Sequence, residues 1–351
     1  MPEISFLMPV HNGARFLAET LESLLTQDHP DYDIIVVDDG STDESRAIID
    51  RYDDPRIHVL EQPQGGLVSA LNFALPQMDC RYIARIDADD ICFPTRLSQQ
   101  LDFLTFVDAA AVSCRSLHID EVGNVLDLSV AYQLFEADAS SLPALEPYLP
   151  HPFLFIRRDV LEEVGGYRHA HLAEDSDLCW RLDERWRIAL QRDVLGKYRL
   201  HTDSISSRSV RHGRTQAFFS QIAALNSKRR RAGETELPYT LGLSDALEEA
   251  GSWDQLFQLY YGYLTDEEVL WLRAAAPLKL LDLAWWRPHQ IESDDIERAA
   301  KALARVPGLT SEARAEARAL INRVREKVDG ALRSTLPLRL LGLGRWRWRW
   351  R

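Results

Sequence analysis

The amino-acid sequence predicts an α/β fold, a mainly parallel sheet flanked by helices, with an α-helical C-terminal extension behind it. Short β-rich runs alternate with helical patterns as far as Ala109, and β-like runs recur between helical stretches as far as Leu200. Strand signals then vanish from about Arg211 to Gly330. Alternation of this kind places helices over both faces of a sheet.

Ile4–Val10 is an apolar run that stops at the turn signal His11-Asn12-Gly13, and Phe16–Gln27 follows with Leu17, Leu21, Leu24 and Leu25 at helical spacing. The run Ile34-Ile35-Val36-Val37, within Asp33–Asp39, reads as a buried parallel strand. A helix is expected near Glu44–Tyr52, a strand over Arg56–Leu60, and a helix over Gly66–Leu75, where Leu67, Ala70, Leu71, Ala74 and Leu75 share one face. Tyr82–Ile86 is strand-like, and Pro94 opens an amphipathic helix through about Val107. Further strands are expected near Ala110–Ile119, Pro152–Ile156, Ile188–Leu190 and Gly196–Leu200, with helices at Arg158–Val164, capped by Gly165-Gly166, and at Glu174–Trp186. The extension reads as helices at about Thr215–Arg231, Trp253–Tyr263, Asp266–Ala276, Asp294–Ala304 and Ser311–Val328. The expected division is 1–210 for the α/β part, 211–330 for the helices and 331–351 for a basic tail rich in Trp and Arg.

A chain of 351 residues, 46% hydrophobic and 27% charged, can bury a full core and fits one large domain plus an extension. Its net charge of −13 makes the body repel nucleic acid. Cys80, Cys92, Cys114 and Cys179 lie far apart, at neither zinc-site nor disulfide-framework spacing, which fits reduced thiols in a core. The N-terminal MPEISFLMPV lacks the basic and long apolar regions of a signal peptide, and no stretch approaches about 18 uninterrupted apolar residues. A cytoplasmic location without a membrane span is therefore expected.

Three acidic clusters each stand at or just beyond the end of an apolar strand-like run: Asp38-Asp39-Gly40-Ser41, Asp87-Ala88-Asp89-Asp90, and Glu174-Asp175 with Asp177. Ligands of an open α/β sheet bind outside the carboxyl ends of its strands, so carboxylates at several ends can converge on one crevice. A lone Asp-Asp pair reads more simply as a helix cap or a turn, but pairs after two strands of one sheet weaken that reading. Asp87 and Asp89 offer hard oxygen ligands that suit Mg2+ or Mn2+ and leave coordination positions open for phosphate oxygens. A departing diphosphate needs such a cation. Arg85, just before them, is either a second positive charge or a surface strand residue. Gly65-Gly66 opens a helix where backbone N–H groups could approach an anion, or is simply a pliable loop.

The segments PVHNGARFLAETLESLLTQ, IIVVDDGSTDES, GGLVSALNFAL, YIARIDADDICFPTRL, HPFLFIRRDVLEEVGGY, AEDSDLCWRL and YRLHTDSIS follow one another in this order. Together they resemble the inverting family 2 glycosyltransferases of the GT-A fold, of the bacterial surface-polysaccharide type, over roughly residues 3–207. The resemblance implies a Rossmann-like sheet, a sugar-nucleotide donor (commonly a UDP-linked hexose or N-acetylhexosamine), Mn2+ or Mg2+, and a glycan or lipid-linked acceptor. It implies that Pro9 and Asp39 cradle the nucleotide base, with Asp39 accepting a hydrogen bond from uracil. Asp87 and Asp89 match the DxD element, with Asp89 as the metal ligand. Asp175 matches the general base of the ED motif, and His201 a late histidine that approaches the metal or the diphosphate. His11 stands where the family commonly has Tyr, so its stacking on the base is a less secure expectation. Asn12, Gly66, Asn72, Arg85 and Glu174 complete the expected substrate-binding set. Asn72 and Arg96 read alternatively as capping or surface residues, and His151, placed where acceptor contacts often occur, as a turn histidine.

The role of Asp175 also follows from the chemistry. An acceptor hydroxyl must lose its proton as it attacks an anomeric carbon, and a positioned carboxylate contributes about 10²–10⁴-fold. Adjacent residues of a helix point about 100° apart, so one of Glu174 and Asp175 faces the acceptor. Glu174 reads otherwise as a first-turn acid favoured by the helix dipole. A sugar-1-phosphate nucleotidyltransferase would need a Gly-rich basic loop after the first strand, where this chain has PVHNGARF. A non-catalytic sugar-nucleotide-binding or scaffold module is the alternative function, and the intact DxD, ED and late His positions argue against it. Residues 330–351 carry Arg333, Arg339, Arg345, Arg347, Arg349 and Arg351 and no acid, and Trp346, Trp348 and Trp350 alternate with arginine. An extended chain puts those tryptophans on one side. Such a segment is expected to dock on an anionic membrane, the inner face of the plasma membrane, or else to fold back on the acidic body or mediate self-association.

Overall fold

The computed structural model describes residues 2–128, 136–201, 210–239, 252–286 and 291–333. Side chains alternating across a strand that is covered on both faces build its centre. In β1 (Ile4–Val10), Ile4, Phe6, Met8 and Val10 enter the core on one face of the sheet and Leu7 the core on the other. β1 lies between β2 (Tyr32–Asp39) and β4 (Tyr82–Arg85), both parallel to it, and β3 (Ile57–Gln62) adds to β2 in parallel. All four strands therefore end at the same edge. Beyond β4 the sheet becomes mixed. β8 (Phe155–Arg157) runs antiparallel to β4, β6 (Ala111–Ile119) antiparallel to β8, and β9 (Ile188–Arg199) parallel to β6. The short β5 (Ile91–Cys92) closes the order against β9, and β7 (Val125–Leu128) forms a hairpin with β6.

The helical spacing seen in the sequence buries what it should. Leu17, Leu21 and Leu24 of α1 (Leu17–Leu25), Ile48 and Ile49 of α2 (Ser45–Ile49), and Leu97 and Leu104 of α4 (Arg96–Phe106) cover one face. Ala70, Leu71 and Ala74 of α3 (Leu67–Ala74) cover the other, with α5 (Arg158–Glu163) and α6 (Glu174–Asp183). Each such leucine contributes about 1.5–3 kcal/mol. The four cysteines are free and buried, as expected of core thiols.

The C-terminal part is helical: α7 (Val210–Ala232), α8 (Trp253–Tyr260), α9 (Asp266–Trp286), α10 (Ser293–Leu303) and α11 (Ser311–Arg333). Its first cluster joins Phe218, Phe219 and Ile222 of α7 to Trp253 and Tyr260 of α8 and Leu272 and Leu280 of α9, and includes Ala173 from the loop before α6. Trp180 of α6 packs on Ala223 and Ala224 of α7, and Arg230 of α7 pairs with Glu184 at 2.7 Å. A second cluster fills the space between α9, α10 and α11. Among the described residues no helix is long and apolar enough to cross a membrane. The Trp/Arg segment, from 334 onward, lies outside the described residues.

Four elements differ from the sequence reading. β9 is one strand of 12 residues where two short ones were expected, with register irregularities against β6 between Ser113 and Leu117. α9 does not stop at Ala276 but runs through Pro277, because Leu278, Leu280 and Leu281 are as deeply buried as Leu272 and Ala276. Strands β5 and β7 had no sequence signal.

Candidate active site

The carboxyl ends of β1, β2 and β3 form the first part of the crevice. Asp39, the last residue of β2, is buried and serves as an anchor for the loop after β3. Its Oδ1 accepts from the Gly65 N–H at 2.7 Å and from Gln62 Nε2 at 2.6 Å, and its Oδ2 from the Gly66 N–H at 2.8 Å. Gly66 sits at φ +83 as it leads into α3, a conformation that favours glycine. Gly40 is equally constrained, at φ +66, and a Cβ there would lie 2.7 Å from the Gln64 backbone nitrogen. His11 Nδ1 donates to the Asp39 carbonyl at 2.8 Å, which fixes the tautomer. Its Nε2 then accepts from Asn12 Nδ2 and Gln64 Nε2, each at 3.2 Å. Asn12, at φ 52, turns its Oδ1 to the Thr42 N–H at 2.7 Å. Pro9 is buried in β1 opposite Val37. The structure thus brings Pro9, His11, Asn12, Asp39 and Gly66 to one end of the parallel strands.

The Asp87–Asp90 turn follows β4 and is held from three sides. The Ile86 N–H donates to Leu7 O at 3.2 Å, Thr20 Oγ1 to Ala88 O at 3.0 Å, and Arg199 Nε to Asp89 O at 2.9 Å. So fixed, Asp87, Asp89 and Asp90 place carboxylate oxygens within 4.8 Å of one another. His201, just after β9, meets Asp89 Oδ2 through Nε2 at 2.7 Å. Two buried atoms here have no hydrogen-bond partner among the described residues, Asp90 Oδ2 and His201 Nδ1. Burial and the neighbouring Asp89 and Asp87 push the Asp90 carboxyl well above the ordinary range. Burial raises Asp87 as well, against the opposing pull of Arg85. Three clustered carboxylates, Asp90 with one oxygen that has no partner among the described residues, form a hard oxygen donor set that fits a divalent cation of the Mg2+ or Mn2+ kind, with His201 beside them on Asp89.

Arg85 links this turn to the other acids. It is buried rather than a surface strand residue, pairs through Nη2 with Asp87, and leaves Nε and Nη1 without a partner among the described residues. An unpaired buried guanidinium donor costs about 1–3 kcal/mol or more, so an anion is its natural complement. His151 Nε2 and the Tyr167 hydroxyl meet at 3.1 Å in the same neighbourhood. Burial, then the charge of Arg85, holds His151 well below the usual histidine range, and hence neutral. Asn72 binds the Tyr167 backbone at both ends of its amide, Nδ2 to Tyr167 O at 2.8 Å and Oδ1 from the Tyr167 N–H at 2.9 Å. Arg96 is wholly buried, with Nη2 donating to the Arg85 carbonyl at 2.7 Å and Nη1 to Cys92 Sγ at 3.0 Å. Asn72 and Arg96 thus hold the frame that carries Tyr167 and Arg85.

Glu174 and Asp175 open α6, which the chain enters through Leu172 at φ 59, a costly conformation for a bulky residue. Burial first, then Asp175, pushes the Glu174 carboxyl up to about 8, while Arg85 opposes the rise and Asp87 adds to it. Burial pushes Asp175 up to about 6, with the Ser176 N–H and the Tyr148 hydroxyl opposing and Glu146 adding to the rise. The acids of the 87–90 turn and of α6 therefore share one electrostatic neighbourhood around Arg85. Asp177, by contrast, is fully buried and pairs with Arg181 at 2.7 Å, which in turn holds the carbonyls of Val164 and Gly166. Sequence reasoning passed over Asp90 as a ligand and missed Tyr148, Tyr167 and Glu146 altogether. Only Asp90, adjacent to the DxD element, carried a local signal.

A mixed sheet whose parallel strands end at an acidic, cation-fitting crevice, with a helix-borne acid pair facing it, is the architecture of a GT-A glycosyltransferase. Residues 5–165 match the family model described as Glycosyl transferase family 2. The chain is 30% identical over 215 residues to the glycosyltransferase RP339 of Rickettsia prowazekii, a match covering 60% of this chain and 67% of that one. The chain belongs to glycosyltransferase family 2. Across four Rickettsia relatives it spans between 36% and 67% of their lengths. Among solved structures, TarS 1–349 of S. aureus superposes with a TM-score of 0.52 at 19% identity, over 86% of this chain and 92% of that 1–349 chain. The mannosyltransferase PcManGT of Pyrobaculum calidifontis, solved with GDP-Man and Mn2+, superposes with a TM-score of 0.52 at 17% identity, over 93% of this chain and 86% of that one. These likenesses show the fold.

Proposed function

We propose that the protein is a metal-dependent inverting glycosyltransferase that moves a hexosyl or N-acetylhexosaminyl group from a nucleoside-diphosphate donor, UDP-linked, to a hydroxyl of a glycan or lipid-linked acceptor. The observation that carries this reading is the convergence of the 87–90 carboxylates and the α6 acid pair on a buried Arg85 with two unpaired donors. In this reading Pro9, His11, Asn12, Asp39 and Gly66 receive the base and ribose. Arg85 directs its free N–H groups at the diphosphate. Asp89 and Asp87, with Asp90 and His201, hold the cation, which when bound supplies positive charge for the departing diphosphate. Asp175 takes the acceptor hydroxyl proton as the new C–O bond forms at the anomeric carbon and the bond to the diphosphate oxygen breaks. Attack opposite the leaving group inverts the configuration. Burial raises both carboxyls, Glu174 further than Asp175, and in this reading Asp175 is the charged member of the pair. The division at residue 210 assigns this chemistry to the α/β part, and the basic segment 331–351 is assigned to an anionic membrane surface.

The test is nucleotide release from a panel of UDP- and GDP-linked sugars with Mn2+ present. The expected result is release from at least one UDP-sugar, lost in excess EDTA and lost in Asp89→Ala while the thermal melt of the variant stays near that of the wild type. Full activity in excess EDTA would overturn the metal assignment, and absence of release from every donor the protein binds would favour a non-catalytic module.

A further inference from the structure

Glu146 belongs to none of the acidic clusters and takes no part in the chemistry above, yet its side chain is only 5% exposed. It lies in the segment between β7 and β8, and three separate helices reach it. The Ser176 hydroxyl, in the first turn of α6 and next in sequence to Asp175, donates to Glu146 Oε2 at 3.0 Å. The Ser220 hydroxyl of α7 donates to Oε1. Lys279 Nζ of α9 stands 3.2 Å from the same oxygen, and 3.6 Å from Asp282. Two hydroxyl donors and an ammonium group are what a buried carboxylate anion requires. The contact is reinforced alongside: Gln221 Nε2 donates to Ser220 Oγ at 3.1 Å, and the Ala144 N–H donates to Gln221 Oε1 at 2.9 Å.

We propose that Glu146 is a positioning residue through which the helical extension, by Ser220 and Lys279, fixes the start of α6 and the electrostatic environment of Asp175. The proposal rests on Asp175 being the general base. Its physical content is a charge relay in the electrostatic sense alone. Glu146 presents a negative charge to Asp175, Lys279 partly neutralises it, and no proton or bond moves between them. The other groups facing Asp175 are Glu174 beside it, the Tyr148 hydroxyl, the Arg85 guanidinium across the crevice, Tyr167, and Cys179 one turn further along α6. Glu146 is tied to the extension by the Ser220 hydroxyl of α7 and the Lys279 ammonium of α9, so both helices act on the base through this side chain. This gives the extension a part in catalysis.

The test is the pH profile of kcat/KM for nucleotide release, measured on the full-length protein with Mn2+ and the sugar nucleotide that the wild type cleaves fastest. Glu146→Gln keeps the shape and removes the charge, so the acid limb moves down by about half a pH unit. Lys279→Met leaves Glu146 less neutralised, so the limb moves up by a similar amount. The Michaelis constant for the donor stays within about twofold in both variants, because neither touches the donor side. A purely structural role lowers kcat at every pH and leaves the limb in place, and that result in both variants would overturn the proposal. If Glu146→Gln does not fold, the direction of the Lys279→Met shift decides alone. Asp175→Asn separates the two levels. Near-normal turnover in Asp175→Asn removes the base assignment itself, whereas a dead Asp175→Asn with unmoved limbs in the other two variants removes only the link to the extension.

Discussion

Burial decides the chemistry of the two adjacent acids at the head of α6, and their identity alone does not. Both carboxyls are raised by desolvation, Glu174 to about 8 and Asp175 to about 6. A base works only when deprotonated. The folded-state value of Asp175 lies above that of a free carboxyl, so activity present at neutral pH is lost as the pH falls through about 6. Asp175→Asn keeps the shape and removes the proton-accepting oxygen. We expect turnover to drop by about two to four orders of magnitude while donor affinity, read by titration calorimetry, is retained. A variant that turned over normally, together with an inactive Glu174→Gln, would exchange the two roles. At this scale the sequence was legible wherever a residue sits in a local motif, as Asp39, Asp87, Asp89 and Asp175 do. It was silent on Glu146 and Tyr167, whose partners lie between 16 and 74 positions away and meet them through the packing of α6, α7 and the 165–167 turn. The sequence also left the substitution of His11 for Tyr open. In the structure both nitrogens of the ring are engaged.

Among the elements, periodicity located α1, α3 and α4 because their apolar positions recur at three- and four-residue intervals under a continuous core. The same reasoning failed at α9. Proline removes one backbone donor and crowds the carbonyl four residues earlier, here that of Arg273, so a helix end at Ala276 was the natural local reading. Tertiary packing overrides it: Leu272 and Leu280 belong to one cluster, Leu278 and Leu281 to the next, and a break would strip one of them of its partner helix. Pro277→Ala should therefore stabilise the full-length protein by about 1–2 kcal/mol once the smaller side chain and the looser unfolded chain are set against the restored hydrogen bond. A thermal melt should rise by about 2–4 °C. A fall would mean that the packing of the proline ring in its buried site outweighs the backbone gain. β9 illustrates the converse. Arg192 and Asp193 interrupt its apolar pattern, and the strand persists because β6 and β5 supply partners along it.

For the molecule as a whole, charge is distributed against the average. A chain of net charge −13 ends in a stretch, 330–351, that has six arginines and no acid. The sheet gathers carboxylates at one edge, where a cation and a diphosphate are to be balanced, and the extension spends many of its arginines on internal pairs such as Arg214 with Asp295 and Arg229 with Glu268. The terminal arginines alternate instead with Trp346, Trp348 and Trp350, and tryptophan is favoured at the interface of a membrane, where an anionic surface attracts each basic residue by about 1 kcal/mol. Ending the chain at Ser334 removes five of the six arginines and all three of those tryptophans, and leaves the motif-bearing part untouched. Full-length protein should co-sediment with anionic liposomes, lose that binding as salt is raised past about 0.15 M, where the Debye length falls to about 8 Å, and ignore neutral liposomes. The shortened chain should stay in the supernatant while releasing nucleotide at the wild-type rate. Equal, salt-insensitive sedimentation of both chains, or of neither, would assign the segment to contacts within or between protein molecules instead.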